Sequence, residues 1–279
     1  MSPFPLDVQI LQFHRFKARS IQLFNQAKTA SDREKLPRPE DFVKALYTFD
    51  IGQNDIFFGL KAMSADQLVA EIPDMVNQLA SAIQNLYREG GRTFWIHNTI
   101  PLGCMPLSVL SNPNPSPENI DEHGCVKDQN DICIEFNRQL KERVIQLRAE
   151  LPEAAITYVD IYTAKYALTV NAKNLGYVDP FKFWYRHGEH NEFEWCGENS
   201  EVYYSPSCEN PLKYVTWDGG HHSHAANQWV ASHILNGSLS DPPVPISQAC
   251  HRQPSSIIDS GVLLPDMFKP EPEACSQFL

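Results

Sequence analysis

The chain has 279 residues, 42% of them hydrophobic, and a formal net charge of −11 from 34 acidic against 23 basic side chains. That length and apolar content can bury a full core, and the chain reads as a single domain over residues 1–279. An acidic chain without a basic stripe argues against nucleic acid as a partner, and no run nears the roughly 18 apolar residues of a membrane span.

In chain order, apolar residues at Leu6, Ile10, Phe13, Phe16, Leu23 and Phe24 predict an amphipathic helix over 6–27. A polar, proline-bearing loop follows at 28–41. "ALYTFDIGQND" (45–55) reads as a buried strand entering a loop. Residues 64–91 predict a long helix, with Ser64 and Gln67 placed for a capping box and Gly90-Gly91 as its stop. Pro73 is expected to kink that helix or delay its start. "RTFWIHNTIPLG" (92–103) is a second strand with its loop, and "SNPNPSPENIDEHG" (111–124) a surface excursion. Residues 126–152 predict a helix facing inward through Ile132, Phe136, Leu140, Val144 and Leu147. "AITYVDIYT" (155–163) is a third strand, 165–214 reads as irregular and aromatic, and 223–237 is a final helix before a proline-rich tail. Strands alternating with long helices imply parallel βαβ units and an α/β fold, with ligands at the carboxyl ends of the strands.

The chemistry concentrates in "DGGHHSHAAN" (218–227). Asp218 and His221, three apart before a helix, can place a carboxylate on imidazole Nδ1 and raise the basicity of Nε2, as a general base requires. The spacing alone favours a solvated polar loop. A metal site from His221, His222, His224 and Asp218 is disfavoured, because successive loop residues point apart and no Cys or HExxH companion supports it. His187 and His190 in "RHGEHNE" read as an exposed polar loop. Gly52 and Asn54 follow the first strand; an Asn amide there can donate to an oxyanion, and both residues equally suit a turn.

Seven cysteines are widely spaced with no CxxC pair, and one glycosylation sequon occurs, Asn236-Gly237-Ser238. Cys104 and Cys125 flank the surface excursion, and Cys196 and Cys208 flank "GENSEVYYSPS", so two bridges are expected unless the compartment is reducing. The start "MSPFPLDVQI" does not read as a signal peptide, which leaves the localisation open.

"YTFDIGQND", "FWIHNTIPLGCMPL", "LGYVDPFKF" and "YVTWDGGHHSHAANQWVA" follow one another in order. The chain thereby resembles the plant GDSL esterase/lipase family of the SGNH hydrolases over nearly its whole length. It looks closest to the early-nodulin-type branch that also holds acetylesterases and proteins named α-fucosidases. The resemblance implies a three-layer α/β/α flavodoxin-like sandwich with a parallel sheet. It implies hydrolysis of a small-molecule carboxylic ester, lipid or acetylated carbohydrate, with no cofactor, no metal and no obligate protein partner. Asp218 and His221 match the family's triad acid and base, Asn54 its oxyanion donor, and Gly52 the turn beside it. Family members are typically secreted.

The family's nucleophile is a serine in an N-terminal Gly-Asp-Ser-Leu-like block, and a glycine amide from a second block helps bind the oxyanion. No Gly-Asp-Ser or G-x-S-x-G occurs in these residues. Ser20 lies on the first predicted helix, and Asp259-Ser260 follows the histidine block, so neither serves. The expectation is an N-terminally truncated domain with its first two strands missing, 45–51 as an edge strand, and no turnover. A catalytically dead paralogue that binds a carbohydrate or lipid ester is the alternative. Gly220, His222 and His224 stand where the family usually carries Val, Tyr and Glu, and Gly220 is expected to loosen the loop. Trp184 and Tyr185 stand where the family tends to place cysteines, which implies the loss of a family disulfide.

Overall fold

The computed structural model describes residues 4–111, 116–181, 185–187, 193–195 and 210–250. Its elements in chain order are α1 (Leu6–Gln26), α2 (Ala30–Arg33), α3 (Asp41–Lys44), β1 (Leu46–Phe49), α4 (Gln53–Ala62), α5 (Ala65–Arg88), β2 (Thr93–His97) and α6 (Pro106–Leu110). There follow α7 (Lys127–Glu150), β3 (Ala155–Val159), α8 (Ile161–Asn171), β4 (Tyr185–His187), β5 (Phe193–Trp195), α9 (His224–Ile234), β6 (Ser240–Asp241) and α10 (Ile246–Ala249). Contacts divide the chain into two units. One is built from Met1–Asn98, Phe136–Val159 and Ser240–Leu279, the other from Thr99–Glu135 and Asp160–Leu239.

The first unit holds an open sheet in the order β1-β2-β3-β6. β1, β2 and β3 are parallel, with Tyr47 beside Phe94 and Phe94 beside Ile156. All of β3 and all of β2 except His97 are buried, so both sheet faces are covered, as the continuous apolar runs of a parallel sheet demand. β1 is an outer strand, where Tyr47 lies between Phe13 of α1 at 5.5 Å and Phe94 at 5.6 Å.

Beyond β3 the proline-rich tail adds β6, an antiparallel strand of two residues that the sequence reading lacked. Arg148 explains it. Its Nε donates to the Ile156 carbonyl at 3.0 Å, and its guanidinium reaches both the carbonyl and the carboxylate of Asp241. A cation thus satisfies the sheet edge where hydrophobic pattern gives no signal.

α5 follows its sequence signals closely. Ser64 and Gln67 form a reciprocal capping box. Gly91 N–H donates to Leu86 O and Gly90 N–H to Tyr87 O, which closes the helix as a Schellman motif. Leu68, Ile72, Val76, Leu79, Ile83 and Leu86 form its buried stripe. Pro73 does not delay the start: it sits inside the helix, and the carbonyl it cannot engage belongs to Val69, an exposed residue. α1 is shallower than predicted. Phe16 remains 54% exposed, and Ser20 is its only buried residue.

In the second unit α8 packs on α9; Leu168 of α8 and Ala226 and Val230 of α9 are all buried. Residues 165–171, read as irregular, are helical, because Asp160 caps the start by accepting from Thr163 N–H at 3.0 Å. Cys104 and Cys125 form a disulfide with Cα atoms 4.4 Å apart. Asp121 ties the same loop: its Oδ1 accepts from the His123 and Cys125 amides, and its Oδ2 from Tyr166 Oη at 3.0 Å. Cys133 is a free buried thiol, pushed up to about 12 by burial. Cys250 is disulfide-bonded. The expected Cys196–Cys208 bridge lies outside the described residues, as do His190 and Trp184.

Closing a loop of this length contributes about 3 kcal/mol through the unfolded chain. The double variant Cys104→Ser/Cys125→Ser is therefore expected to lose about 2–4 kcal/mol in urea unfolding, with an unchanged far-ultraviolet spectrum.

Candidate active site

Gly52 and Asn54 belong to the first unit, at the carboxyl end of β1. By the fourth residue after the strand the chain is already helical, so Asn54 stands in the first turn of α4 rather than in a loop. Gly52 is the N-terminal flanking residue at φ 112°, a left-handed conformation. A Cβ there would meet Phe136 Cζ at 2.8 Å, so the turn demands glycine on two grounds. The Asn54 side chain is exposed, at the end of a helix where backbone amides and dipole both favour negative charge. Nearby, His97 at the end of β2 approaches Asp50, with Nδ1 and Oδ2 3.6 Å apart.

Asp218 and His221 belong to the second unit, on the tip of a short ribbon preceding α9. The Asp218 side chain is 4% exposed, whereas that of His221 is 77% exposed. The buried carboxylate is satisfied locally. Oδ1 accepts from the amides of Gly220 at 2.9 Å and His221 at 2.6 Å, while Oδ2 pairs with His221 Nδ1. Gly219, at φ 83°, turns the chain tightly enough for one side chain to reach all three donors. A proton held on Nδ1 leaves Nε2 of the exposed ring as the acceptor, which is the state of a general base.

Gly220 does not loosen this loop. Its amide is held by Asp218, and a Cβ at this position would press on Leu107 Cδ1 at 3.3 Å. Leu107 also donates its amide to Gly219 O at 3.1 Å, so α6 supports the loop from below. Trp217 stacks on the imidazole, with ring centroids 6.0 Å apart and planes at 28°, and is itself exposed. Sequence reasoning missed both supports; Trp217, next to the aspartate, was the one visible signal.

The three histidines diverge. His221 points outward, His222 is buried, and His224 begins α9 on an exposed position. Among the described residues no group of three or more His, Cys, Asp or Glu side chains is arranged to hold a metal ion. No described helix is long and apolar enough to cross a membrane.

Residues 6–234 match the family described as GDSL-like Lipase/Acylhydrolase. The chain is 56% identical over 257 residues to a GDSL esterase/lipase of Arabidopsis thaliana, a match that covers 91% of this chain and 66% of that relative. It is 46% identical over 260 residues to GDSL esterase/lipase ACHE of Zea mays, covering 90% and 65% respectively. To GDSL esterase/lipase ENOD8 of Medicago truncatula it is 40% identical over 261 residues, covering 91% and 66%. The chain belongs to the GDSL-like lipase/acylhydrolase family, and it spans about two thirds of the length of these relatives.

Replacing Asp218 by Asn keeps an oxygen for the two loop amides but turns an N–H toward Nδ1. The ring is then expected to move its proton to Nε2, visible as a tautomer change in the nitrogen shifts of His221. Mispairing a buried polar group should also cost about 1–3 kcal/mol of stability.

Proposed function

We propose that this chain supplies the acid–base half of a carboxylic ester hydrolase. The Asp218–His221 pair is the observation that carries the reading: a buried carboxylate fixes the tautomer of an exposed imidazole. His221 would take the proton from an attacking hydroxyl through Nε2 and return it to the leaving alkoxide, while Asp218 stabilises the imidazolium. Asn54 would donate to the oxyanion, with Gly52 setting the turn that presents it. The relatives' names as esterase/lipases support the reaction class, and the substrate is proposed as a small-molecule ester of lipid or acetylated carbohydrate. Neither acid–base transfer nor oxyanion binding by these groups needs a metal or an organic cofactor.

The nucleophile is the missing part. No Gly-Asp-Ser block occurs in residues 1–279, so these residues alone are proposed to give no ester turnover above background. A second reading is proposed beside it, an ester-binding protein without catalysis. One experiment separates them. A Gly-Asp-Ser-bearing N-terminal segment of the family is joined ahead of the chain, and hydrolysis of short-chain aryl esters is followed. The hydrolase reading expects turnover in the chimera that falls at least on the order of 10³-fold with His221→Ala, and none in the unextended chain. A well-folded chimera that binds ester without hydrolysing it would favour the binding protein. Turnover by the unextended chain, lost in the same variant, would reveal another nucleophile.

We also propose an oxidising compartment, in which Asn236 carries a glycan. The Cys104–Cys125 disulfide supports the first part. The exposed sequon residue Asn236, just past α9, supports the second; its Oδ1 accepts from Ser238 N–H at 2.8 Å. Expressed through a secretory pathway, the chain should lose mass on enzymatic deglycosylation, and Ser238→Ala should abolish that change.

A further inference from the structure

The ribbon that presents the Asp218–His221 pair also has a floor. Thr216 and His222 oppose each other across an antiparallel bridge. The flanking hydrogen bonds run from Trp217 N–H to His221 O at 3.0 Å and from Ser223 N–H to Val215 O at 2.8 Å. That arrangement defines a non-hydrogen-bonded pair, whose two side chains share one face at their closest approach. Both are interior, Thr216 at 0% and His222 at 7% exposure. Neither Thr216 Oγ1 nor His222 Nε2 has a hydrogen-bond partner among the described residues.

The backbone around the ring is fastened. The His222 carbonyl accepts from Asn227 Nδ2 at 3.1 Å, and Ser223 caps α9 by accepting from Ala226 N–H. His222 therefore lies at the N-terminal end of α9, where the helix dipole opposes positive charge. Two further cationic or titratable groups bear on it: Lys165 from α8 and His221 from the ribbon tip.

We propose that His222 is the positioning residue of the Asp218–His221 pair: its neutral ring fills the floor under the ribbon, and protonating that ring releases the ribbon and undoes the pair. The catalytic meaning of this role rests on the reading of His221 as the base; the mechanical coupling does not. An imidazolium at this place would be a buried charge whose Nε2 has no acceptor among the described residues, close to a helix N-terminus and subject to a lysine. Burial above all, then Lys165 and His221, push His222 down from 6.5 to about 3. An opened ribbon exposes the ring and binds its proton near the ordinary value, so the closed form is fully favoured above pH 6.5 and weakens as pH falls toward 3. At about pH 4.5 the opening equilibrium should lie on the order of 100-fold further toward the open form than at neutral pH.

Hydrogen exchange of the Trp217 and Ser223 amides in the full chain reads this opening directly. It is measured between neutral pH and about pH 4.5, corrected for intrinsic exchange, with Phe94 in β2 as the monitor of global unfolding. His222→Tyr, which restores the residue usual in the family, and His222→Phe are the comparisons; neither ring takes up a proton in this range. In the wild type, protection of Trp217 and Ser223 is expected to fall on the order of 100-fold while Phe94 is spared. The downfield Nδ1–H resonance of His221 should fade in parallel, and His222→Tyr should keep both signals. A flat wild-type profile would overturn the proposal. An equal loss in wild type and His222→Tyr would also overturn it, assigning the opening to Asp218 instead. Both results leave the ester-hydrolase reading standing, and an inactive chimera with the expected exchange profile would sink that reading alone.

Discussion

A parallel sheet buried on both faces constrains everything else in the first unit. β2 and β3 present side chains to two largely apolar environments, so both strands carry no charged residue among their buried positions, and threonine is the small polar residue they admit. Polar chemistry is pushed to the carboxyl edge, where Asp50, Gly52, Asn54 and His97 follow in the first residues that can leave the core. Gly52 marks the sharpest point of that transition. Its left-handed backbone turns the chain into α4 within three residues of β1, and Phe136 of α7 occupies the space that any side chain would need.

A second constraint governs the ribbon in the other unit. A carboxylate as buried as Asp218 must be surrounded by donors, and the loop supplies them from its own backbone. The imidazole of His221 completes the set. This explains why the pair can be rigid although His221 itself is largely exposed: the anchor is the buried member. Support arrives from three directions, through α6 by way of Leu107, through the stacked face of Trp217, and through the ribbon floor at Thr216 and His222. The Cys104–Cys125 bridge closes the segment that carries α6, and Leu107 of α6 meets the loop of the pair.

Membership of the GDSL-like lipase/acylhydrolase family rests on sequence similarity, and the pairing of Asp218 with His221 on hydrogen bonding. They meet in the proposed hydrolase role. His222 lies on the inner side of the ribbon that carries this pair, paired across it with Thr216. A tyrosine brings a neutral ring at any acidic pH, whereas histidine brings one that can be charged.

The sequence by itself determined the long elements and the family. The stripes of α5 and α7, the capping box at Ser64 and the glycine stop at Gly90-Gly91 are short-range patterns, and local physics suffices to read them. The spacing of Asp218 and His221 alone favoured a solvated polar loop; the ordered family blocks singled out the pair, and the fold supplied the contact. Only tertiary structure decided the rest. β6 is held by Arg148, far away in sequence, which satisfies its backbone, and the turn that leads Asn54 into α4 passes at Gly52 against Phe136 of α7, a contact of distant segments. His221 and His222 are neighbours of identical chemistry, yet one is 77% exposed and the other buried. Alternation across a two-stranded ribbon sends adjacent side chains to opposite faces, and which face meets the core is a property of the packed molecule, not of the dipeptide.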